Sequence, residues 1–287
     1  MKRLILFVLI FLTASQTAFA DTSIWKVQSD KSVLYLGGTV HLLRQSDYPL
    51  PVEYDKAYEK AALLVFEADI ADLYKPETQQ LLVSKGLYRD GTSLETVLSP
   101  EAYGALKKYC ESAGIPVLSF NKFKPSMVML TLLGQELQKM GIGKSGVEEY
   151  YFRKANADKK PVKGLENIDE HIELITSMGK GNESNFILHS IKDLKEAERI
   201  INALIDGWRE GDEKKLYELF IKEMKDEFPN LYKTLLVDRN RKWLPQIEDY
   251  LQTPETELVL VGAAHLIGPD GVIASLKNKG YKLEKLK

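Results

Sequence analysis

Short apolar runs bounded by polar or turn residues recur along the chain, and stretches with apolar positions at helical spacing fill the intervals between them. The runs predict strands at Ile24 to Val27, Val33 to Leu36, Leu63 to Glu67, Val117 to Ser119, Val162 to Leu165, Glu257 to Val261 and Lys282 to Leu286. The intervals predict helices at Glu53 to Ala61, Pro76 to Ser84, Pro100 to Ser112, Pro125 to Met140, Val147 to Asn156, Ile168 to Met178, Glu183 to Trp208, Glu213 to Lys225 and Phe228 to Tyr250. Pro100 and Pro125 mark helix starts, since the first turn does not use the N–H that proline lacks. Gly114 and Gly141 mark helix ends, where glycine accepts the left-handed cap. Such alternation indicates an α/β fold with a mixed, largely parallel central sheet flanked by helices. From about Asn167 to Thr253 no strand is predicted, so this block reads as a mostly helical cap over a sheet formed by the two ends of the chain. Gly179 to Asn182 is its most flexible joint.

The first twenty residues show another pattern. Lys2 and Arg3 make a basic start, Leu4 to Leu12 is an apolar core too short to cross a bilayer, and Ala18-Phe19-Ala20 is a small-x-small cleavage site. This predicts a signal peptide over residues 1–20, a single domain over 21–287, and an exported product, periplasmic or secreted. No cysteine comes after the apolar core and no later apolar run reaches about 18 residues, so no membrane anchor is expected after cleavage. Losing Lys2 and Arg3 takes the formal charge from −2 to −4, and this mildly acidic, mixed surface gives no footprint for nucleic acid. Cys110 is the one cysteine, so no intrachain disulfide forms, and its helical context predicts a buried, inert thiol.

Chemistry concentrates where strands end. Gly38-Thr39-Val40-His41 and Gly262-Ala263-Ala264-His265 each come directly after an apolar run, which puts both histidines just beyond the C-terminal ends of strands. Open α/β sheets bind ligands at that edge. Glu67 and Glu166 end two further runs, and two histidines with two carboxylates make a donor set for zinc, manganese, iron or cobalt rather than calcium. Alternatively, a histidine or glutamate serves as a general base without metal. Gly37, Gly38 and Gly262 are expected to let the chain turn sharply beside a ligand. Other readings stay open. Asp69 suits an N-cap, Glu166 suits a cap for the helix from Ile168, and His171 and His189 suit surface or packing roles. Arg239 either points back to the sheet edge, to neutralise a carboxylate or hold an oxyanion, or is a surface charge like Arg241.

The segments Leu36-Gly37-Gly38-Thr39-Val40-His41, Phe66-Glu67-Ala68-Asp69, Gly164-Leu165-Glu166, Asp238-Arg239-Asn240 and Val261-Gly262-Ala263-Ala264-His265-Leu266-Ile267-Gly268-Pro269-Asp270-Gly271-Val272 occur in that order. Together they resemble the TraB/GumN family, which includes the TIKI metalloproteases and is distantly related to erythromycin esterase and ChaN-like proteins. The resemblance implies an α/β fold like those relatives, with both Gly-x-x-His motifs in one site beside Glu67, Glu166 and Arg239. It implies an exported metal-dependent hydrolase, a peptidase acting on a peptide or protein substrate. On that reading His41, Glu67 and His265 bind a divalent ion, manganese, cobalt or zinc, Glu166 is a base or further ligand, and Arg239 stabilises an oxyanion. A metal-independent esterase-like hydrolase and a non-enzymatic peptide- or haem-binding protein are the alternatives.

Overall fold

The aliphatic runs at both ends of the chain form the strands of one mixed sheet, as seen in a computed structural model that describes residues 22–287. The signal peptide expected over residues 1–20 lies outside the described residues. The strands are β1 (Ile24–Gln28), β2 (Val33–Thr39), β3 (Leu42–Arg44), β4 (Leu63–Ala68), β5 (Ile142–Ser145), β6 (Val162–Glu166), β7 (Glu257–Gly262) and β8 (Lys282–Lys285). Six of them make the main sheet in the order β6-β4-β7-β2-β1-β8. Its first four strands are parallel neighbours, while β1 runs antiparallel to both β2 and β8. Leu258, Val259 and Leu260 of β7 are fully buried, as expected of a central parallel strand covered on both faces, and β8 alternates exposed and half-buried residues as an edge strand does.

The block between β6 and β7 contains no strand, as its pattern predicts, but its packing differs from a simple cap. A second apolar cluster, separate from the sheet's own, joins Leu106 and Cys110 of the helix Pro100–Ser112, Val128 and Leu132 of the helix Pro125–Lys139, and Ile187 and Ile191 of the helix Glu183–Lys195. Helices from both long intervals therefore build it jointly. Among the described residues no helix is long and apolar enough to cross a membrane.

Local differences have local causes. Val117–Phe120 is a 3-10 turn rather than a strand, with Leu118 69% exposed and Phe120 buried in the second cluster. So short an apolar run does not distinguish the two. The pair β3 and β5, which the pattern did not predict, forms a two-stranded antiparallel sheet with Leu42 opposite Ser145. The predicted helix Glu183 to Trp208 breaks at Glu196 into Glu183–Lys195 and Ala197–Arg209. Tyr217–Ile221 and Lys233–Val237 are π turns inside helical stretches.

Candidate active site

Because β6, β4, β7 and β2 are parallel neighbours, their C-terminal ends line up along one edge. The register sets Ala68 beside Glu166 and Thr39 beside Gly262, so Glu166, Glu67, His265 and His41 succeed one another along that edge despite their distance in sequence. The two Gly-x-x-His motifs are not equivalent. The side chain of His265 is 5% exposed, whereas that of His41 is 73% exposed.

Arg239, on the helix Asp238–Tyr250, reaches back to this edge and is buried there. Its Nε donates to Glu166 Oε2 at 2.9 Å; one terminal nitrogen donates to Glu67 Oε2 at 2.5 Å and Glu166 Oε1 at 2.7 Å. The other donates to the Leu235 carbonyl at 3.3 Å and to His265 Nε2 at 2.9 Å. A guanidinium has five N–H groups, and each is engaged here. The expected oxyanion role would thus require one of these bonds to open. The planar group also stacks on Trp243, 4.5 Å from the ring centre, and the Trp243 ring lies 4.5 Å from that of His265.

Asn240 fixes His265. Its Nδ2 donates to the carbonyls of His265 and Asp270, at 3.1 and 2.9 Å, which turns Oδ1 toward His265 Nδ1 at 2.7 Å. His265 therefore carries its proton on Nδ1 and offers the Nε2 lone pair to Arg239. Burial is the main cause that pushes its pKa down to about 4, with Arg239 adding to the shift and Glu67 opposing it, so the ring is neutral at pH 7.

The carboxylates behave oppositely. Burial alone would raise Glu67, but His265, Arg239, His41 and the Gly262 N–H, 2.7 Å from Oε1, together hold it well below the usual range. For Glu166 burial is likewise outweighed, by His171 and Arg239. Both are ionised at neutral pH, and against one guanidinium and a neutral His265 they leave an excess of one negative charge.

His41 Nδ1 lies 2.8 Å from Glu148 Oε1, and the same oxygen accepts the Thr39 hydroxyl. The Glu148 carboxylate raises the His41 pKa to about 9. Glu148 comes from the first turn of the helix Val147–Asp158. At Gly146, just before that helix, a Cβ would sit 2.2 Å from the carbonyl carbon and oxygen of His41, so only glycine permits this approach. The glycines singled out by sequence act differently: Gly37 and Gly38 lie within β2 rather than in a turn, and a Cβ at Gly37 would strike Leu260 at 2.6 Å and Ile24 at 2.8 Å.

His171, expected at the surface or in packing, instead faces the site. It sits in the helix Ile168–Ser177, and its Nδ1 is 2.6 Å from Glu166 Oε1. Asn167, not Glu166, caps that helix, accepting the Asp169 N–H at 2.8 Å and freeing Glu166 to turn inward. Asp69 is an N-cap, bonded to the Ala71 N–H at 2.9 Å. His189 packs edge-on against Phe228, Arg241 is exposed, and Cys110 is buried. Sequence reasoning missed His171 and Glu148. The usable signal was position, since both lie on helices beginning at the sheet edge that binds ligands.

His41, Glu67, Glu148, Glu149, Tyr74 and His171 line a groove of about 210 Å³. Two of these residues, Glu67 and His171, cluster with the buried Glu166 side chain, which is outside the groove lining, so that one ligand atom from each of the three lies within 4.8 Å of the others. Two carboxylates and an imidazole suit manganese, cobalt or zinc, so the donor set fits a divalent ion. His265 has both ring nitrogens engaged by Asn240 and Arg239.

Compared with curated proteins and with solved structures, the chain finds no match. The model of the TraB/PrgY/gumN family matches residues 23–285, which takes in every strand and every residue of the edge described above, and the chain belongs to that family.

Proposed function

We propose that the chain is an exported metal-dependent hydrolase, a peptidase that cleaves a peptide or protein substrate at the groove beside His41. The observation that carries this reading is the convergence of Glu67, Glu166 and His171 within 4.8 Å, beside a groove that Glu67 and His171 line. These three residues would hold the ion. When bound, a divalent ion polarises a carbonyl oxygen and lowers the pKa of water. The chain's own residues supply the remainder. Glu67 and Glu166 stay ionised, the former through Gly262 and Arg239, the latter through Arg239 and His171. His41, with a pKa raised to about 9 by Glu148, is protonated at neutral pH and is placed to give a proton to a leaving amine. Arg239 and Asn240 keep His265 neutral and fixed behind the carboxylates. The leader pattern from Lys2 to Ala20 supports export.

One observation favours a second reading, a metal-independent esterase-like hydrolase: a carboxylate already orients the His41 ring, as the acid of a Ser-His-Asp triad orients its histidine. A panel of peptides and esters, incubated with the protein in manganese, cobalt or zinc and again in excess chelator, tests both. The metallopeptidase reading expects peptide cleavage that chelation abolishes and added ion restores. Chelator-resistant ester hydrolysis that depends on His41 would establish the second reading in its place.

A further inference from the structure

The same carboxylate oxygens that a divalent ion would need are occupied by Arg239. Its donors reach Glu67 Oε2, Glu166 Oε1 and Glu166 Oε2, while His171 touches Glu166 Oε1 from the groove side. With Arg239 in place, the two carboxylates carry one excess negative charge. A divalent ion added there would leave a net positive charge in a largely buried site, where charge is poorly screened. With Arg239 released from the carboxylates, the ion and the two glutamates balance.

Arg239 is not held by the carboxylates alone. In the same position it also donates to the Leu235 carbonyl and to the Nε2 lone pair of His265, and its plane rests on Trp243. The Leu235 carbonyl belongs to the π turn Lys233–Val237, immediately before the helix that carries Arg239. His265 is held by Asn240 with that lone pair presented. These three partners would remain to anchor the guanidinium as it tilts away and its bonds to Glu67 and Glu166 open.

We propose that Arg239 and the divalent ion are alternative occupants of the Glu67 and Glu166 carboxylates, so that Arg239 holds the empty site together and sets how tightly the ion is taken. The proposal rests on the metal reading of this site and adds a regulator to it. Loading frees N–H groups of Arg239 beside Glu67, which lines the groove. That gives Arg239 open donors for a substrate oxygen only when the ion is present, and couples substrate binding to metal loading.

The test is calorimetric titration of Mn²⁺ into the metal-stripped protein, its Arg239→Gln and Arg239→Lys variants, and His171→Ala. Arg239→Gln removes the competing cation and should bind Mn²⁺ roughly tenfold or more tightly than the parent. Arg239→Lys, which keeps a charge but not the fork, should fall between the two. His171→Ala should weaken binding. Should Arg239→Gln fold poorly when empty, its melting temperature should rise further on Mn²⁺ addition than the parent's does. Equal or weaker Mn²⁺ binding in a folded Arg239→Gln protein would overturn the proposal while leaving the metal reading intact. Absence of Mn²⁺ binding in every variant would overturn both.

Discussion

His265 Nδ1 lies 2.7 Å from Asn240 Oδ1, and this single contact decides which nitrogen faces Arg239. Asn240 is itself pinned by the carbonyls of His265 and Asp270, so one amide ties the end of β7 to the loop before the last helix. Asn240→Ala removes three buried or half-buried hydrogen bonds and leaves carbonyls unpaired, which should cost about 2 to 4 kcal/mol. Urea unfolding, read with an unchanged slope, measures it. A loss below about 0.5 kcal/mol would show the ring is held by something else.

Acid should weaken the fold in a window set by His265. An unfolded histidine takes up its proton near pH 6.5, the native ring only near pH 4. Between those values the unfolded chain binds more protons, so stability falls as pH falls. The contribution is fully present above pH 6.5 and lost below pH 4, on the order of 3 kcal/mol in all. Glu67 and Glu166, held low, add a loss of the same sign only below about pH 4.5. Metal-free His265→Gln protein should therefore show a flatter stability profile from pH 6.5 to 4.5. An unchanged slope there would assign the acid lability to other groups.

His41 should titrate in the opposite direction. Glu148 raises it to about 9, and Glu148→Gln should return it toward 6.5. Because its ring is 73% exposed, solvent screens the pair and little stability comes from it. Two-dimensional NMR of the ring protons in metal-free protein reads the shift, and a His41 pKa that ignores Glu148→Gln would remove the dyad.

Much of this edge was legible in the sequence because parallel strands announce themselves twice, by apolar runs and by polar residues where the runs stop. Glu67, Glu166, His41 and His265 all obey that rule, and the register then made them neighbours. The rule could not supply direction within helices. His171 and Glu148 sit among polar residues on helical segments, where any of several faces is compatible with the pattern, and only the packing of those helices on the sheet turns these two inward. The strand β5, Ile142-Gly143-Lys144-Ser145, was invisible for a different reason: it is too short and glycine-rich to show alternation, and it exists through pairing with β3. The equivalence suggested by two Gly-x-x-His strings was also misleading. The His265 ring is buried against Arg239, while the His41 ring opens to the groove and meets Glu148.

Gly146 is a second feature that sequence alone understated. A methyl group there would collide with the His41 backbone at 2.2 Å, and backbone does not yield cheaply. Gly146→Ala should displace the His41 segment or the start of the Glu148 helix and destabilise by about 3 kcal/mol or more. Thermal unfolding together with the His41 ring shift checks this; a variant with parental stability and an unmoved His41 signal would contradict it.

Whether Glu67, Glu166 and His171 hold an ion is decided by crystals grown with Mn²⁺ and measured for anomalous scattering. The expected result is an anomalous peak bounded by those three side chains, with the Arg239 bonds to at least one carboxylate opened while those to Leu235 and His265 remain. A peak bound instead between His41 and His265, or an intact Arg239 fork on both carboxylates with no peak, would contradict the metal site.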